Sequence, residues 1–388
     1  MVKALKTDND RKEKMNREDT LNTTKRVLEL IEAKSLECAP SAKRLPSSMF
    51  VERERFEQDK ALLARSPHVI GYACEIKRGH YLTRSVASVP VLLVRDNKDV
   101  LRAFINACAH RGACVAHGEG KAQRFKCSYH AWCYDEKGNL VARPGAEHFE
   151  GIDPATLGLK PLPVVEEKGL VVVGLQADVK VAGHLDSVAP ALAYPYEEYE
   201  HLQTWNFTVD ANWKLVIDVN FEGYHFPFLH KNSLHPFAMG NASFDLFEPH
   251  ARWAFPLRSI ERLRDLPEDQ WPDCFEGTVV YFLFPSCVLV QGSTASQMIR
   301  IYPGAHPGQA QVQFSYMLTE PPTEEERAAH LEGAKFANDL LRGEDFIAAA
   351  ECQQGFEAGR DSLVLGSNEP LVQHIHRVWD EAIGINES

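Results

Sequence analysis

Two short stretches constrain this 388-residue chain more than anything else in it. Cys108-Ala-His110 is followed, after sixteen residues, by Cys127-Ser-Tyr-His130, so each stretch offers one thiol and one imidazole. Thiol and imidazole are metal-binding donors, and this pattern asks the fold to bring two loops to one centre. A common zinc finger places its two cysteines on one segment and its two histidines on another. Here each segment supplies one of each, although a structural zinc site with the same four ligands is the alternative.

The division suits a Rieske [2Fe–2S] cluster, in which two cysteines bind one iron and two histidines the other. With two neutral imidazoles replacing two thiolates, the oxidised cluster is electrically neutral rather than doubly negative. It accepts an electron more readily, so its potential rises. Each histidine is expected to use one ring nitrogen and leave the other free for solvent or a partner. Nearby Cys114, His117 and Cys133 are not needed and read as loop or packing residues.

Composition narrows the setting. Cys108, Cys114, Cys127 and Cys133 cluster, while the other five cysteines, Cys38, Cys74, Cys274, Cys287 and Cys352, are scattered. That is a metal or catalytic pattern in a reducing compartment rather than a disulfide scaffold. The formal charge of −12 argues against nucleic-acid binding. The longest apolar stretch, 281–290, is broken by Pro285 and Ser286 and is too short to span a membrane. The first residues lack the apolar core of a secretory signal. The expected location is the cytoplasm, away from membranes.

Residues 1–18 read as a charged tail, 20–34 as an amphipathic helix, and 38–48 as a Pro/Ser linker. Residues 50–180 read as β-rich, with strands at 81–86, 90–94, 100–107 and 170–174 and a hairpin turn at Gly138-Asn139. Beyond 181 the patterns mix: a helix over 211–229, strands over 279–290 and 311–318, and a capping box at Thr323/Glu326 opening a helical stretch toward Phe356.

A second constellation lies 95 residues past His130 in Ala-Asn-Trp-Lys-Leu-Val-Ile-Asp-Val-Asn-Phe-Glu222-Gly-Tyr-His225-Phe-Pro-Phe-Leu-His230. Two histidines and one carboxylate form the facial triad of non-haem Fe(II) enzymes, which leaves open positions for O₂. Glu222 and His225, three apart, would share a helix face, and Pro227 should distort the turn before His230. A lone histidine pair is more often structural, as His235, His374 and His376 are read here; the upstream motif reverses that preference.

Together these motifs resemble the Rieske oxygenase α subunits, the aromatic ring-hydroxylating oxygenases. Cys108-x-His110-Arg111-Gly112, Cys127-x-Tyr129-His130-x-Trp132 and Gly138-Asn139-Leu140 match the first family motif. Asn212-Trp213-Lys214-Leu215, Asp218, Glu222-x-Tyr224-His225 and His230 match the second, with Val219 where the family often has Asn. The resemblance implies an α+β chain, with an all-β Rieske domain inserted in a catalytic domain of curved antiparallel sheet flanked by helices. The implied segments are 1–48, an N-terminal tail and helix packing on the catalytic domain, 49–180 for the Rieske domain and 181–388 for the catalytic domain.

It further implies that Cys108, His110, Cys127 and His130 hold the cluster and that His225, His230 and Asp345 hold the iron. Asp345 lies in Glu344-Asp345…Gln353-x-Gly355, which resembles the family's third-ligand segment, and Glu344 is the runner-up. Glu222 would link the two centres. The implied activity uses O₂ and NAD(P)H electrons from a separate reductase, with or without a ferredoxin, in a homotrimer. No GxGxxG nucleotide loop occurs in the chain, in keeping with a separate donor. The expected substrate is an aromatic or other hydrophobic small molecule, as in aromatic hydrocarbon catabolism. Residues 245–290 with Phe247, Trp253, Phe255, Phe282 and Phe284 would line its pocket. A quaternary ammonium compound such as carnitine or a betaine is the alternative, and an electron carrier without catalysis is the alternative of another class.

Overall fold

The computed structural model describes residues 6–192 and 194–385. It contains two compact units: Ala61–His184, and the chain on either side of it, up to Lys60 and from Leu185.

The first unit is built of antiparallel strands. Its five-stranded sheet runs in the order Pro161–Leu162, Leu101–Ile105, Val89–Arg95, His80–Val86 and Glu119–Lys121. Val91, Leu92, Leu93 and Val94 are all buried, so the central strand is apolar on both faces. A smaller sheet joins Arg124–Lys126, Cys133–Asp135 and Leu140–Ala142. Its inner residues Phe125 and Tyr134 enclose, with Leu92, Phe104, Trp132 and Leu159, a core that also contains Cys108 and Cys127. Gly138 turns the hairpin with φ +84°, and a Cβ there would strike the Phe104 ring.

The second unit centres on a seven-stranded antiparallel sheet in the order Glu200–Val209, Ala310–Leu318, Ala295–Pro303, Cys287–Gln291, Gly277–Leu283, His250–Pro256 and Ser243–Phe247. The single strand expected over 279–290 is two strands, because Pro285 and Ser286 sit in the turn between them. Helices cover the sheet. Trp379, on the helix Pro370–Ala382, packs against Trp213 and Phe282 at 4.8 and 5.7 Å between ring centroids.

Three flanking expectations are corrected. The helix Lys6–Ala33 occupies most of the stretch read as a tail; residues 1–5 lie outside the described residues. Asp19 and Arg26 tie that helix to Arg252 and Asp245 on the sheet. The linker contains a strand, Lys43–Pro46, paired with Ser362–Leu365. The helix expected over 211–229 stops at Asp218. Asn212 caps its start by accepting from the Lys214 amide at 3.0 Å. Asn220 ends it by donating its side-chain amide to the Val216 and Ile217 carbonyls at 2.8 and 3.3 Å, both of which the backbone amides of a continuing helix would have used. The Thr323/Glu326 capping box opens a helix over Glu324–Leu340. A π-helical turn, Leu341–Asp345, follows, and then the helix Phe346–Glu357.

Beneath the Trp213 helix lies a charged network. Lys214 and Asp59 are fully buried and paired, Trp213 Nε1 donates to Asp59 at 3.1 Å, and Arg55 joins Asp59 to Asp380.

Candidate functional site

The first centre is made by two loops of like geometry. In one, the Cys108 amide donates to the Ala113 carbonyl and the Gly112 amide returns to Cys108, both at 2.8 Å. In the other, Cys127 donates to Trp132 at 2.8 Å and Ala131 returns to Cys127 at 3.0 Å. Gly112 and Ala131 occupy the same step with positive φ. Both thiols are buried, and His110 and His130 point their Nδ1 atoms at each other at 3.1 Å. His110 stacks on Trp132 at 4.9 Å, and His130 on the exposed Tyr129 at 3.9 Å. Burial, with His130 and Arg111 nearby, lowers the pKa of His110 and favours a neutral imidazole. The Tyr134 hydroxyl lies 3.1 Å from Cys108 Sγ and accepts from the Ala109 amide at 2.9 Å. Two facing imidazole nitrogens and two buried thiols are the donor set a Rieske cluster needs.

The second centre lies within the second unit. His225, His230 and Asp345 offer ligand atoms that all fall within 4.8 Å of one another. Asp345 Oδ1 stands 3.5 Å from His225 Nε2 and 3.2 Å from His230 Nε2. His225 Nε2 is buried and makes no hydrogen bond, an orphaned donor atom aimed at the position a cation would take. Two imidazoles and one carboxylate suit ferrous iron.

Both imidazoles are held from behind. Glu222 Oε1 pairs with His225 Nδ1, while Oε2 accepts the Tyr224 and His225 amides at 2.5 and 3.1 Å. The contact expected along a helix is thus made inside a turn. Glu344, the runner-up ligand, instead accepts from His230 Nδ1 at 2.6 Å and from the Ser233 hydroxyl at 2.7 Å. The sequence signal for this role was its place beside Asp345. Burial works against a charged His225, yet Asp345 and Glu222 carry its pKa up to about 9 without metal. Burial pushes the Asp345 pKa up, but His225 and His230 outweigh it and hold the carboxyl below its ordinary value.

Of the aromatics expected to line a pocket, two reach the histidines' surroundings. Phe226, 5.7 Å from the His230 ring, contacts Trp253 and Phe255 at 6.0 and 5.2 Å. Phe244, outside the expected set, stacks on Trp253 at 6.2 Å. Phe282 and Phe284 belong to the core toward Trp379, and Phe247 lies beneath Arg252. Strand alternation sets Phe247 apart, because its partner His250 faces with Arg252 and opposite to Trp253 and Phe255; Phe282, opposite Ala251, shares the face of Trp253 but contacts Phe221 and Trp379 instead. Asp218, at the end of its short helix, pairs with the buried His376 at 2.9 Å.

Comparison with known proteins decides the class. Residues 66–163 match the Rieske [2Fe-2S] domain, and residues 196–385 match the ring hydroxylating alpha subunit catalytic domain. The chain belongs to the Rieske oxygenase α-subunit family. Rieske oxygenase α subunits bind a [2Fe–2S] cluster and a mononuclear iron, use O₂ and draw electrons from a separate reductase. This Rieske oxygenase is similar to the chloroplastic choline monooxygenase of Beta vulgaris, with 25% identity over 92% of this chain and 81% of the relative. It is 26% identical to the carnitine monooxygenase oxygenase subunit of Escherichia coli K12, over 86% of this chain and 92% of that one. In fold it resembles a quaternary ammonium Rieske monooxygenase solved with L-carnitine: TM-score 0.74, 21% identity, 89% and 96% coverage. A naphthalene 1,2-dioxygenase from Rhodococcus sp. follows at TM-score 0.70 and 17% identity, covering 95% of this chain and 98% of that one. No described helix is long and apolar enough to cross a membrane.

Proposed function

We propose that this oxygenase hydroxylates a small quaternary ammonium compound at an iron held by His225, His230 and Asp345, with Cys108, His110, Cys127 and His130 holding the cluster. The observation that carries the substrate class is the pairing of aromatic faces with negative charge. Phe226, Trp253 and Phe255 gather beside His230, and Glu222, Glu344 and Asp345 surround the histidines. Aromatic faces attract a desolvated cation. The second unit as a whole has 42 acidic against 26 basic residues, while the first has 12 against 16. An acidic surround steers a cationic substrate. The choline and carnitine monooxygenases among the relatives support the same class. An aromatic substrate is the second reading, supported by the anthranilate 1,2-dioxygenase large subunit of Acinetobacter baylyi, 33% identical over 49% of this chain.

When bound, the cluster would supply single-electron transfer and the iron an open-sided centre for the reduction of O₂ beside the substrate. The protein's part is to hold and orient. Asp345 supplies the anionic ligand, and Glu222 fixes the His225 ring by accepting its Nδ1 proton. Phe226, Trp253 and Phe255 exclude water from one side of the site.

The active form is read as a homotrimer in which one copy's cluster serves the next copy's iron, with Glu222 as the bridge. Uncovered aromatics support this. Tyr129 beside His130 is 57% exposed, and Tyr224 and Phe228 beside Glu222 are 63% and 72% exposed. The compartment is read as cytoplasmic from the clustered thiols.

One experiment tests the substrate class. Carnitine, choline, glycine betaine, anthranilate and naphthalene are supplied in turn with a surrogate reductase, and O₂ uptake is matched to hydroxylated product. Turnover confined to the ammonium compounds is expected; turnover confined to the aromatic ones overturns the proposal. Metal analysis should find three irons and two acid-labile sulfides per chain, whereas two irons would leave only an electron carrier.

A further inference from the structure

We infer that Glu344 is the positioning carboxylate of the second histidine, and that the chain Ser233–Glu344–His230 fixes this ligand for iron. The inference rests on the reading of His225, His230 and Asp345 as the iron ligands. Two consecutive residues address both nitrogens of one ring. Glu344 Oε2 lies 2.6 Å from His230 Nδ1, and Asp345 Oδ1 lies 3.2 Å from His230 Nε2. Neighbouring side chains on a regular α-helix diverge by about 100°. Here they belong to the π-helical turn Leu341–Asp345, the kind of local widening that recurs at functional sites.

The geometry fixes a tautomer. Glu344 is an acceptor, so the Nδ1 proton is donated to it, which leaves Nε2, on the Asp345 side, as the nitrogen that would bind iron. The ring is 2% exposed and has no room to turn away. The Glu344 side chain is 32% exposed and could have faced water. It instead accepts from His230 and also, at 2.7 Å, from Ser233 Oγ. A carboxylate behind a histidine raises its donor strength and locks its orientation, and losing such a group typically costs about 10–100-fold in metal affinity. Glu222 behaves in the same way toward His225 from a different loop, so each imidazole has its own carboxylate.

The test follows iron release. Wild type, Glu344→Ala, Glu344→Asp, Ser233→Ala and Asp345→Ala holoenzymes are exposed to a ferrous chelator while the Rieske absorption serves as an internal control. Mononuclear iron should bind about 10–100-fold more weakly in Glu344→Ala, while the Rieske absorption stays at its wild-type level. Glu344→Asp should recover part of the affinity. Asp345→Ala should retain no mononuclear iron. Wild-type iron affinity in Glu344→Ala, with iron lost in Asp345→Ala, overturns the inference alone. Iron retained in Asp345→Ala overturns the ligand reading beneath it. If Glu344→Ala does not accumulate as folded protein, Ser233→Ala decides: a few-fold faster release supports the chain, and wild-type release overturns it.

Discussion

In the first unit, His110 and His130 meet through Nδ1 near the surface, and neither is bonded to a carboxylate among the described residues. In the second, His225 and His230 face Asp345 through Nε2, and each is gripped at Nδ1 by a glutamate. The pKa shifts follow. That of His110 is lowered by burial and neighbouring positive charge, while that of His225 is raised to about 9 by carboxylates that overcome burial. The same residue type thus serves two tasks. Neutral, outward imidazoles suit a centre that must take and pass an electron. Imidazoles backed by anions suit a centre that must retain a dication while leaving positions open.

The largest test separates the two centres. Cys127→Ser should lose the Rieske spectrum and all turnover yet keep the mononuclear iron. Asp345→Ala should lose turnover and that iron yet keep the spectrum. Iron and sulfide analysis with visible spectroscopy checks both. If both metals vanish together in either variant, the centres are not independent and the comparison fails. Co-expressed mixed trimers of the two variants should regain activity if electrons cross between copies. Authenticated mixed trimers that stay inactive would remove the inter-subunit route.

The next effect is on stability. Asp59 neutralises Lys214 in full burial and also accepts from Trp213. Removing one partner of a buried pair typically costs about 3–5 kcal/mol. Asp59→Ala should lower the unfolding free energy by that amount, whereas Glu57→Ala, on the exposed side of the helix Arg53–Arg65 that also carries Asp59, should stay within about 0.5 kcal/mol. Equal losses in urea unfolding would show that burial is not the cause.

The two centres also differ in how readable they were. The first is local: four proposed ligands within 23 residues, in loops closed by their own backbone bonds, so spacing alone pointed to the chemistry. The second is assembled by tertiary structure. Asp345 lies 115 residues beyond His230, and among 54 acidic residues only family resemblance selected it. Glu344 was legible as a neighbour, but which of two adjacent carboxylates faces which ring nitrogen depends on a π-helical turn that periodicity does not reveal. The helix expected through His225 failed at Asn220, whose side chain competes for helical carbonyls. Of the pocket aromatics, alternation sends Phe247 to the Arg252 face, away from Trp253 and Phe255, whereas Phe282 shares their face and is drawn into the core by Phe221 and Trp379.

A pH series sharpens the contrast. In the metal-free protein the folded pKa of His225, about 9, lies above its ordinary value of 6.5. Its contribution to stability is complete below about pH 6.5 and is lost as pH rises through about 9. Melting temperature should therefore fall over that window, and His225→Gln should remove that part of the fall. Iron binds the deprotonated ring, so iron affinity should rise over the same window. An iron affinity that is flat across it would mean that His225 gives up no proton on binding.

The smallest effect lies within the first centre, where the two loops differ at one matched step. Gly112 and Ala131 both have positive φ, +77° and +60°. Glycine adopts this region freely, whereas an L-residue there costs roughly 1–2 kcal/mol. A Cβ at Gly112 would meet nothing within 4 Å, so Gly112→Ala changes conformational preference without a clash. Part of its cost returns because alanine restricts the unfolded chain by about 0.4–1 kcal/mol. Gly112→Ala should therefore destabilise by about 1 kcal/mol or less, and Ala131→Gly should stabilise by a similar amount, with the cluster spectrum unchanged in both. Urea unfolding of the two variants beside wild type reads the difference. Shifts of opposite sign would show the two loops to be the same device with strain in only one of them; shifts of the same sign would mean that the matched backbone bonds at Cys108 and Cys127 do not make them equivalent.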